Sequence, residues 1–311
     1  MRHLFALLLT IAAVMVGAYV LLDPEDAALD NAARARAPGQ FVMLEDGLTH
    51  FQIAGADSGR PVVFAAGFSV PAYIWDPLYS TLADSGFRVI RYDYFGRGWS
   101  DRPEREYTQD LFVRQLAQLL DSLAIPGPVD LAGLSFGGAV ITSFADRHPD
   151  RVGSLVYVDP AFVAPGTARP RHRSALAWNL HMVFGGGTDE IATGQTEDFL
   201  HPEHYPDWVD RYREQQQFRG TRAAIRASHL GIAASDSQMP QLRRIGESGR
   251  PVLLVWGRQD RILPIAGSDS VLAAIPQIVF IPVDSAGHLP HIEQPDTVAA
   301  QVIRFLRSVR D

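Results

Sequence analysis

The sequence predicts an α/β protein: a mostly parallel central sheet flanked by helices, with a helical cap inserted late in the chain. Three observations carry this. Short apolar runs alternate with helix-like segments over residues 41–160 and again over 250–311, the rhythm of strand–helix units around a parallel sheet. That rhythm breaks over 161–249, where aromatics, arginines and Pro/Gly punctuation occur without a convincing strand. A 47% hydrophobic and 20% charged share of 311 residues is enough for one large domain with a sizeable core.

Residues 1–22 stand apart from that domain. No residue from Leu4 to Leu22 is charged, and as a helix the run spans roughly 28 Å, about one bilayer core. Arg2 and His3 precede it; Asp23, Glu25 and Asp26 follow. The positive-inside rule then leaves the rest of the chain outside the cytoplasm. The expectation is a membrane anchor. The alternative is a cleaved signal peptide and a secreted protein, although such apolar regions usually run only about 7–15 residues. Residues 23–40, rich in Ala, Asp and Arg, predict a linker.

The elements of the domain follow in order. Phe41–Leu44 and Leu48–Ile53 flank Glu45-Asp46-Gly47 and predict a hairpin. Pro61–Ala66 predicts a buried strand, followed by Gly67-Phe68-Ser69 and a helix over Pro71–Ser85. Phe87–Tyr92 predicts a strand, and Tyr107–Leu123 an amphipathic helix with Leu111, Leu116, Leu119, Leu120 and Leu123 on one broad face. A strand from Val129 leads into a helix ending near Arg147, and Ser154–Val158 is the next strand. After the insertion come Pro251–Trp256 (strand), Pro264–Ile275 (helix), Gln277–Val283 (strand) and Pro295–Val309 (helix).

Between the strand at Val129 and its helix lies Gly133-Leu134-Ser135-Phe136-Gly137, a G-x-S-x-G pattern. A bare five-residue pattern is weak. Here it has a strand before and a helix after, the setting of a sharp turn that exposes a serine hydroxyl. Ser135 is therefore the candidate nucleophile. Such a serine needs a general base, and the base needs an orienting acid. In a parallel sheet, functional groups sit past the carboxyl ends of strands. Asp260 is the first carboxylate after Pro251–Trp256 and is the candidate acid, with Asp159 the alternative. His288, after Gln277–Val283, is the candidate base, with His291 competing. The chain order Ser135, Asp260, His288 suits this turn type. The backbone N–H groups of Phe136 and Phe68 are the candidate oxyanion-hole donors.

Other chemistry is excluded or weak. There is no cysteine, so no thiol nucleophile, disulfide or Cys-ligated zinc. All 28 basic residues are arginine, which rules out Schiff-base, pyridoxal-phosphate and P-loop lysines. A net charge of −7 without a long basic run argues against a nucleic-acid partner. His201-Pro202-Glu203-His204 hints at a metal, but proline and the short spacing disfavour a two-histidine helical face, so neither metal nor cofactor is expected. Trp178, His181, Met182 and Phe184 lie at helical spacing in the insertion. They either line the substrate pocket as a lid or pack the cap onto the core; Leu289, beside His288, joins the candidate pocket. Gly185-Gly186-Gly187 marks a flexible point, and Arg169, Arg171 and Arg173 a solvated face near lipid head groups.

The motifs together resemble the α/β-hydrolase superfamily, in its serine-nucleophile branch, over roughly residues 41–160 and 250–309. Four carry the resemblance: Ala66-Gly67-Phe68, Asp93…Gly96-Arg97-Gly98-Trp99-Ser100, Gly133-Leu134-Ser135-Phe136-Gly137-Gly138, and the Asp260/Gly287-His288 pair. Many relatives have a histidine before the glycine of the first motif. Here that residue is Ala66, which leaves the hydrogen bonding of the loop open. The second motif is a structural turn in the family, which implies structural roles for Asp93 and Ser100. Haloalkane dehalogenases and epoxide hydrolases of the superfamily use an aspartate nucleophile, so Ser135 implies hydrolysis of esters, thioesters, amides or activated C–C bonds. Monoacylglycerol lipases and meta-cleavage-product hydrolases look similar, and cofactor-free perhydrolases share the triad. The expected partners are a small-molecule or lipid-like ester and, through the N-terminal helix, a membrane. A non-catalytic binding protein on the same fold is the alternative of another class.

Overall fold

A computed structural model describes residues 2–125, 127–162 and 173–309. Eight strands form one sheet: β1 (Gln40–Leu44), β2 (Gly47–Ala54), β3 (Pro61–Ala65), β4 (Arg88–Tyr92), β5 (Val129–Leu134), β6 (Val152–Val158), β7 (Val252–Gly257) and β8 (Val279–Val283), in the spatial order β1-β2-β4-β3-β5-β6-β7-β8. The β1–β2 and β2–β4 pairs are antiparallel and the others parallel. β5 and β7 are buried along their whole length, as their near-continuous apolar runs require of central parallel strands. β3 pairs with both β4 and β5. The chain therefore leaves β3 towards one side of the sheet and returns to it from the other. Loops at such a switch point diverge and open a crevice beyond the strand ends. The Phe68 loop follows β3, and Ser135 follows β5.

Helices cover both faces. Asp76–Asp84 packs on Pro295–Ser308; Gln109–Ser122, Phe136–Arg147, Met239–Glu247 and Ser268–Ala274 pack successively on one another. Two predicted helices open differently from expectation. Ala72–Trp75 and Ile265–Gly267 are 3₁₀ turns preceding Asp76–Asp84 and Ser268–Ala274. Pro71 and Pro264 stand as their extended N-caps, where a missing N–H costs nothing.

The insertion is helical, with Ala175–Phe184, Gly187–Gly194, Trp208–Gln216 and Thr221–Ala233 forming the cap. Met239–Glu247, expected within the insertion, packs instead on Phe136–Arg147 through buried Leu242 and Ile245. The core thus resumes at Met239. The Gly185-Gly186-Gly187 stretch is a joint between two helices, with Gly186 in the left-handed region at φ 74°. Arg169 and Arg171 lie outside the described residues; Arg173 is exposed.

The Arg2–Leu22 helix buries no residue, and it is the one helix among the described residues long and apolar enough to cross a membrane. The stretch after it is pinned to the cap. Both carboxylate oxygens of Asp23 accept from the Arg222 guanidinium, at 2.7 and 2.8 Å. Glu25 accepts from the N–H groups of Gly220, at 3.0 Å, and Arg222, so two acids meet the N-terminus of Thr221–Ala233, where negative charge is favoured. Ala27 pairs with Phe218 in an isolated bridge.

Candidate active site

Ser135 joins β5 to the helix Phe136–Arg147 with φ 51° and ψ −120°. A serine at a helix N-cap normally turns its hydroxyl onto the first N–H groups. Ser135 makes no such capping bond. Its backbone is held instead: its N–H donates to the Val158 carbonyl at 3.0 Å, and its carbonyl accepts from Gly138 and Ala161, each at 2.9 Å. Strain of this kind costs about 1–3 kcal/mol and persists only where neighbours over-determine it. The glycines two residues either side are obligatory. A Cβ on Gly133 would lie 2.5 Å from the Gly137 carbonyl oxygen, and one on Gly137 would lie 2.5 Å from that of Ala66.

Asp260 and His288 meet across the ends of β7 and β8. The two loops are tied together by Gln259 N–H to the Ala286 carbonyl at 3.0 Å and Ala286 N–H to Gln259 Oε1 at 3.2 Å. Asp260 Oδ1 accepts from the N–H groups of Ile262 and Leu263, each at 2.8 Å, and Oδ2 accepts from His288 Nδ1 at 2.8 Å. Burial alone raises the Asp260 carboxyl. The His288 hydrogen bond and charge, the Asp159 side chain and the Leu263 N–H outweigh it and hold Asp260 below the usual carboxylate range.

The alternative acid, Asp159, lies in the same cluster: ligand-type atoms of Asp159, Asp260 and His288 fall within 4.8 Å of one another. Asp159 is fully buried, and its Oδ1 accepts from Gly257 N–H at 2.9 Å. Burial, then the neighbouring Asp260, pushes its carboxyl well above the usual range. Two carboxylates this close in a dry site cannot both ionise freely. The charge settles on Asp260, which has more N–H donors. With both Asp260 oxygens engaged by donors, the donor set suits a carboxylate–imidazole pair better than a metal. The competing histidine, His291, donates Nε2–H to the Ile74 carbonyl at 2.9 Å and packs 4.7 Å from the Trp75 ring. Burial lowers its pKa to about 3, so it is a neutral core residue.

Val158 and Asp159 connect this pair to Ser135: the Val158 carbonyl holds the serine N–H, and the next residue touches Asp260. On the other side, a Cβ on Gly67 would lie 3.8 Å from Ser135 Cβ, so the loop after β3 lies against the serine. Among the described residues, neither the Phe68 nor the Phe136 N–H has a hydrogen-bond acceptor. The arrangement offers an unengaged hydroxyl, an imidazole with one nitrogen fixed by a carboxylate, and two free N–H donors.

The cap supplies the remaining wall. Trp178, Met182 and Ile225 form a small buried cluster against which Phe68 packs, and His229 lies 4.5 Å from the Phe68 ring. Leu289 is buried beside His288. Phe184 is elsewhere: it is 39% exposed and meets Tyr19 of the N-terminal helix at 6.1 Å. Six residues after Trp178, it points about 240° around the helix. His181 is paired with Glu190 at 3.0 Å on the cap surface. His201 and His204 flank a short turn, and His201 Nδ1 lies 3.1 Å from Glu203 Oε1 in the open.

Two acids that the sequence reading missed join the cap to the base loop. The Asp198 carbonyl accepts from His288 N–H at 2.8 Å. Glu293 accepts from Gly287 N–H at 2.6 Å and from cap residues Leu200 and His201 at 2.7 and 3.3 Å. Burial pushes the Asp198 carboxyl up to about 6, with His288 pulling it down and Asp260 and Glu197 pushing it up. A separate cavity of about 460 Å³ lies between residues 36–38, strands β2 and β4 and the helix Trp208–Gln216; none of the candidate catalytic groups borders it.

Residues 60–295 match the α/β hydrolase fold family. A 2-hydroxy-6-oxononadienedioate/2-hydroxy-6-oxononatrienedioate hydrolase of Pseudomonas putida is 28% identical, over 89% of this chain and 99% of its own. A thermophilic esterase of Thermogutta terrifontis superposes with a TM-score of 0.76 and 26% identity, over 88% of this chain and all of its own. A bacterial membrane phospholipase A has the same fold, with a TM-score of 0.69 at 21% identity, and the match spans 100% of both chains.

Proposed function

Because the chain belongs to the α/β-hydrolase family and is a hydrolase, we propose that it cleaves a carboxylic ester through an acyl-enzyme on Ser135. His288 Nε2 takes the Ser135 proton as Oγ attacks the ester carbonyl carbon. The Phe68 and Phe136 N–H groups receive the carbonyl oxygen as it gains negative charge. The carbon–oxygen bond to the alcohol then breaks, and the alcohol leaves with the proton held by His288. A water, deprotonated by His288, attacks the acyl-serine; the acid departs and Ser135 recovers its proton. Asp260 fixes the His288 tautomer and stabilises the imidazolium between steps. The observation that carries this reading is the 2.8 Å Asp260–His288 bond, which Asp159 joins to neighbouring Val158, whose carbonyl holds the strained Ser135.

The proposal extends to place and substrate. The N-terminal helix anchors the protein, and the catalytic domain lies outside the cytoplasm. On Ala175–Phe184, the exposed Leu176, Leu180 and Phe184 repeat every four residues along one face, beside Tyr19 at the end of the anchor. Such an apolar face next to a bilayer supports a lipophilic acyl ester drawn from the membrane.

A fluorophosphonate probe is expected to label wild-type protein and not Ser135→Ala. Absence of labelling in folded wild type would mean a binding protein rather than an enzyme. In a p-nitrophenyl ester series, medium-chain esters are expected to outpace acetate; a preference for acetate would remove the lipid reading. The Pseudomonas relative supports a second reading, C–C hydrolysis, for which turnover of a 2-hydroxy-6-oxo-dienoate with inert esters would decide. Carbonate washing is expected to leave the protein in membranes with residues 4–22 attached. A soluble product beginning between Ala27 and Gln40 would identify a signal peptide. A reporter fused after Asp311 is expected to work only if it is one that functions outside the cytoplasm.

A further inference from the structure

Ala66 leaves the loop after β3 without the histidine that many relatives carry, yet the loop is firmly held. The Arg97 guanidinium does this. Its Nε and one terminal nitrogen both donate to the Phe68 carbonyl, at 2.9 and 2.7 Å. The other terminal nitrogen donates to the Phe95 carbonyl at 3.2 Å and to Ser228 Oγ at 2.8 Å. The cation also lies over the rings of Phe68 and Phe112, at 5.2 and 5.5 Å. Arg97 is fully buried, and among the described residues it forms no ion pair with a carboxylate. A buried cation without a counter-charge is costly and is easily replaced by apolar packing. Its presence here asks for a role other than stability.

We propose that Arg97 is the positioning residue for the oxyanion loop: its fork on the Phe68 carbonyl fixes the peptide unit that follows Phe68 and so restrains the residue whose N–H is the proposed donor, and its bond to Ser228 ties that loop to the cap helix Thr221–Ala233. The inference rests on the reading of Phe68 as an oxyanion-hole donor. A planar fork gripping one carbonyl fixes direction as well as distance, which a point charge does not. Burial lowers the Arg97 pKa to about 10, so the cation persists at neutral pH. A second arginine of the same turn provides the contrast. Arg102 also reaches the cap helix, donating to Thr221 Oγ1 at 3.2 Å, and it grips the Gly98 carbonyl at 2.8 Å rather than the Phe68 loop.

The test uses full-length protein, a p-nitrophenyl ester and a trifluoromethyl ketone as transition-state analogue. Arg97→Met is expected to lower kcat by roughly 10- to 100-fold, with analogue affinity falling in parallel, while KM stays within about threefold. Its melting temperature is expected to stay within a few degrees of wild type, the lost buried charge offsetting the Phe68 and Phe95 carbonyls left without a donor. Arg97→Lys keeps the charge but not the fork, and is expected to recover only part of the loss. Arg102→Met, which removes another cation held only by backbone carbonyls and a hydroxyl, is expected to change the melting temperature to a similar extent with kcat unchanged. Folded Arg97→Met with wild-type kcat and analogue affinity would overturn the proposal. Should Arg97→Met not fold, Arg97→Lys decides: loss of analogue affinity parallel to kcat supports positioning, and an unchanged affinity overturns it. Ser135→Ala separates the two levels. Activity surviving there removes the proposed function itself; activity lost there but kept in Arg97→Met removes only this inference.

Discussion

The sheet and the cap hold the candidate site by different means. On the sheet side, positions are set by backbone: Ser135 by its bonds to Val158, Gly138 and Ala161, and Asp260 by the Ile262 and Leu263 N–H groups. On the cap side one backbone bond, from His288 N–H to the Asp198 carbonyl, is joined by side chains that cross from one region to another: Glu293 to Leu200 and His201, Arg97 to Ser228, Gln215 to the Ser69 carbonyl at 3.0 Å. Backbone bonds within a sheet break only with the fold, whereas single side-chain bridges can be removed one at a time. The sheet side therefore governs whether chemistry occurs, and the cap side how well the site is closed and aligned.

Mutations on the two sides sharpen this contrast. The largest effect belongs to the sheet. Ser135→Ala is expected to reduce turnover by about 10⁴–10⁶ with an unchanged melting temperature; a purified variant of near wild-type activity would sink the nucleophile assignment. Next is the division between the acids. Asp260→Asn is expected to slow turnover by roughly 10⁴ through the wrong histidine tautomer. Asp159→Asn should change it only a few-fold, because an amide can still accept from Gly257 and donate towards Asp260. A reversed result would place the acid after β6.

Cap-side effects are smaller. Glu293→Ala strips the acceptor from Gly287, Leu200 and His201. It is expected to cost about 2–4 kcal/mol in a urea titration and to lower kcat about 10-fold as the His288 loop loosens. The smallest is a pH effect at Asp198. Its carboxyl moves from an ordinary 3.8 up to about 6 on folding. The stability it contributes is complete below about pH 4 and is lost as pH rises through 6. Asp198→Asn is thus expected to raise the melting temperature by about 2–4 °C at pH 8 and to leave it unchanged at pH 4. An equal gain at both pH values would show that the carboxyl does not titrate there.

The two regions also differ in how plainly the sequence announces them. Buried strands leave contiguous apolar runs, so β3, β5 and β7 were legible, as were the Gly133–Gly137 turn and the strand ends carrying Asp260 and His288. The cap has no such period. Its residues earn their positions through contacts distant in sequence, and no local pattern marks Glu293 or Asp198. Ala66 did signal that the loop after β3 lacked its usual support. Nothing in the sequence said that Arg97, in the next turn, supplies it. Helical spacing groups Phe184 with Trp178 and Met182, but six residues carry it about 240° round the helix, to the face where Leu176 and Leu180 also lie exposed.

The docking of Asp23 and Glu25 onto Arg222 and Gly220 has a mechanical corollary. The N-terminal helix is bolted first to the cap. Twelve residues beyond its end at Leu22, Arg34 pairs with Asp101 in the turn after β4. A pull on the helix is therefore shared between the cap, through Arg222, and the sheet side, through Asp101, and one short segment holds the two in register.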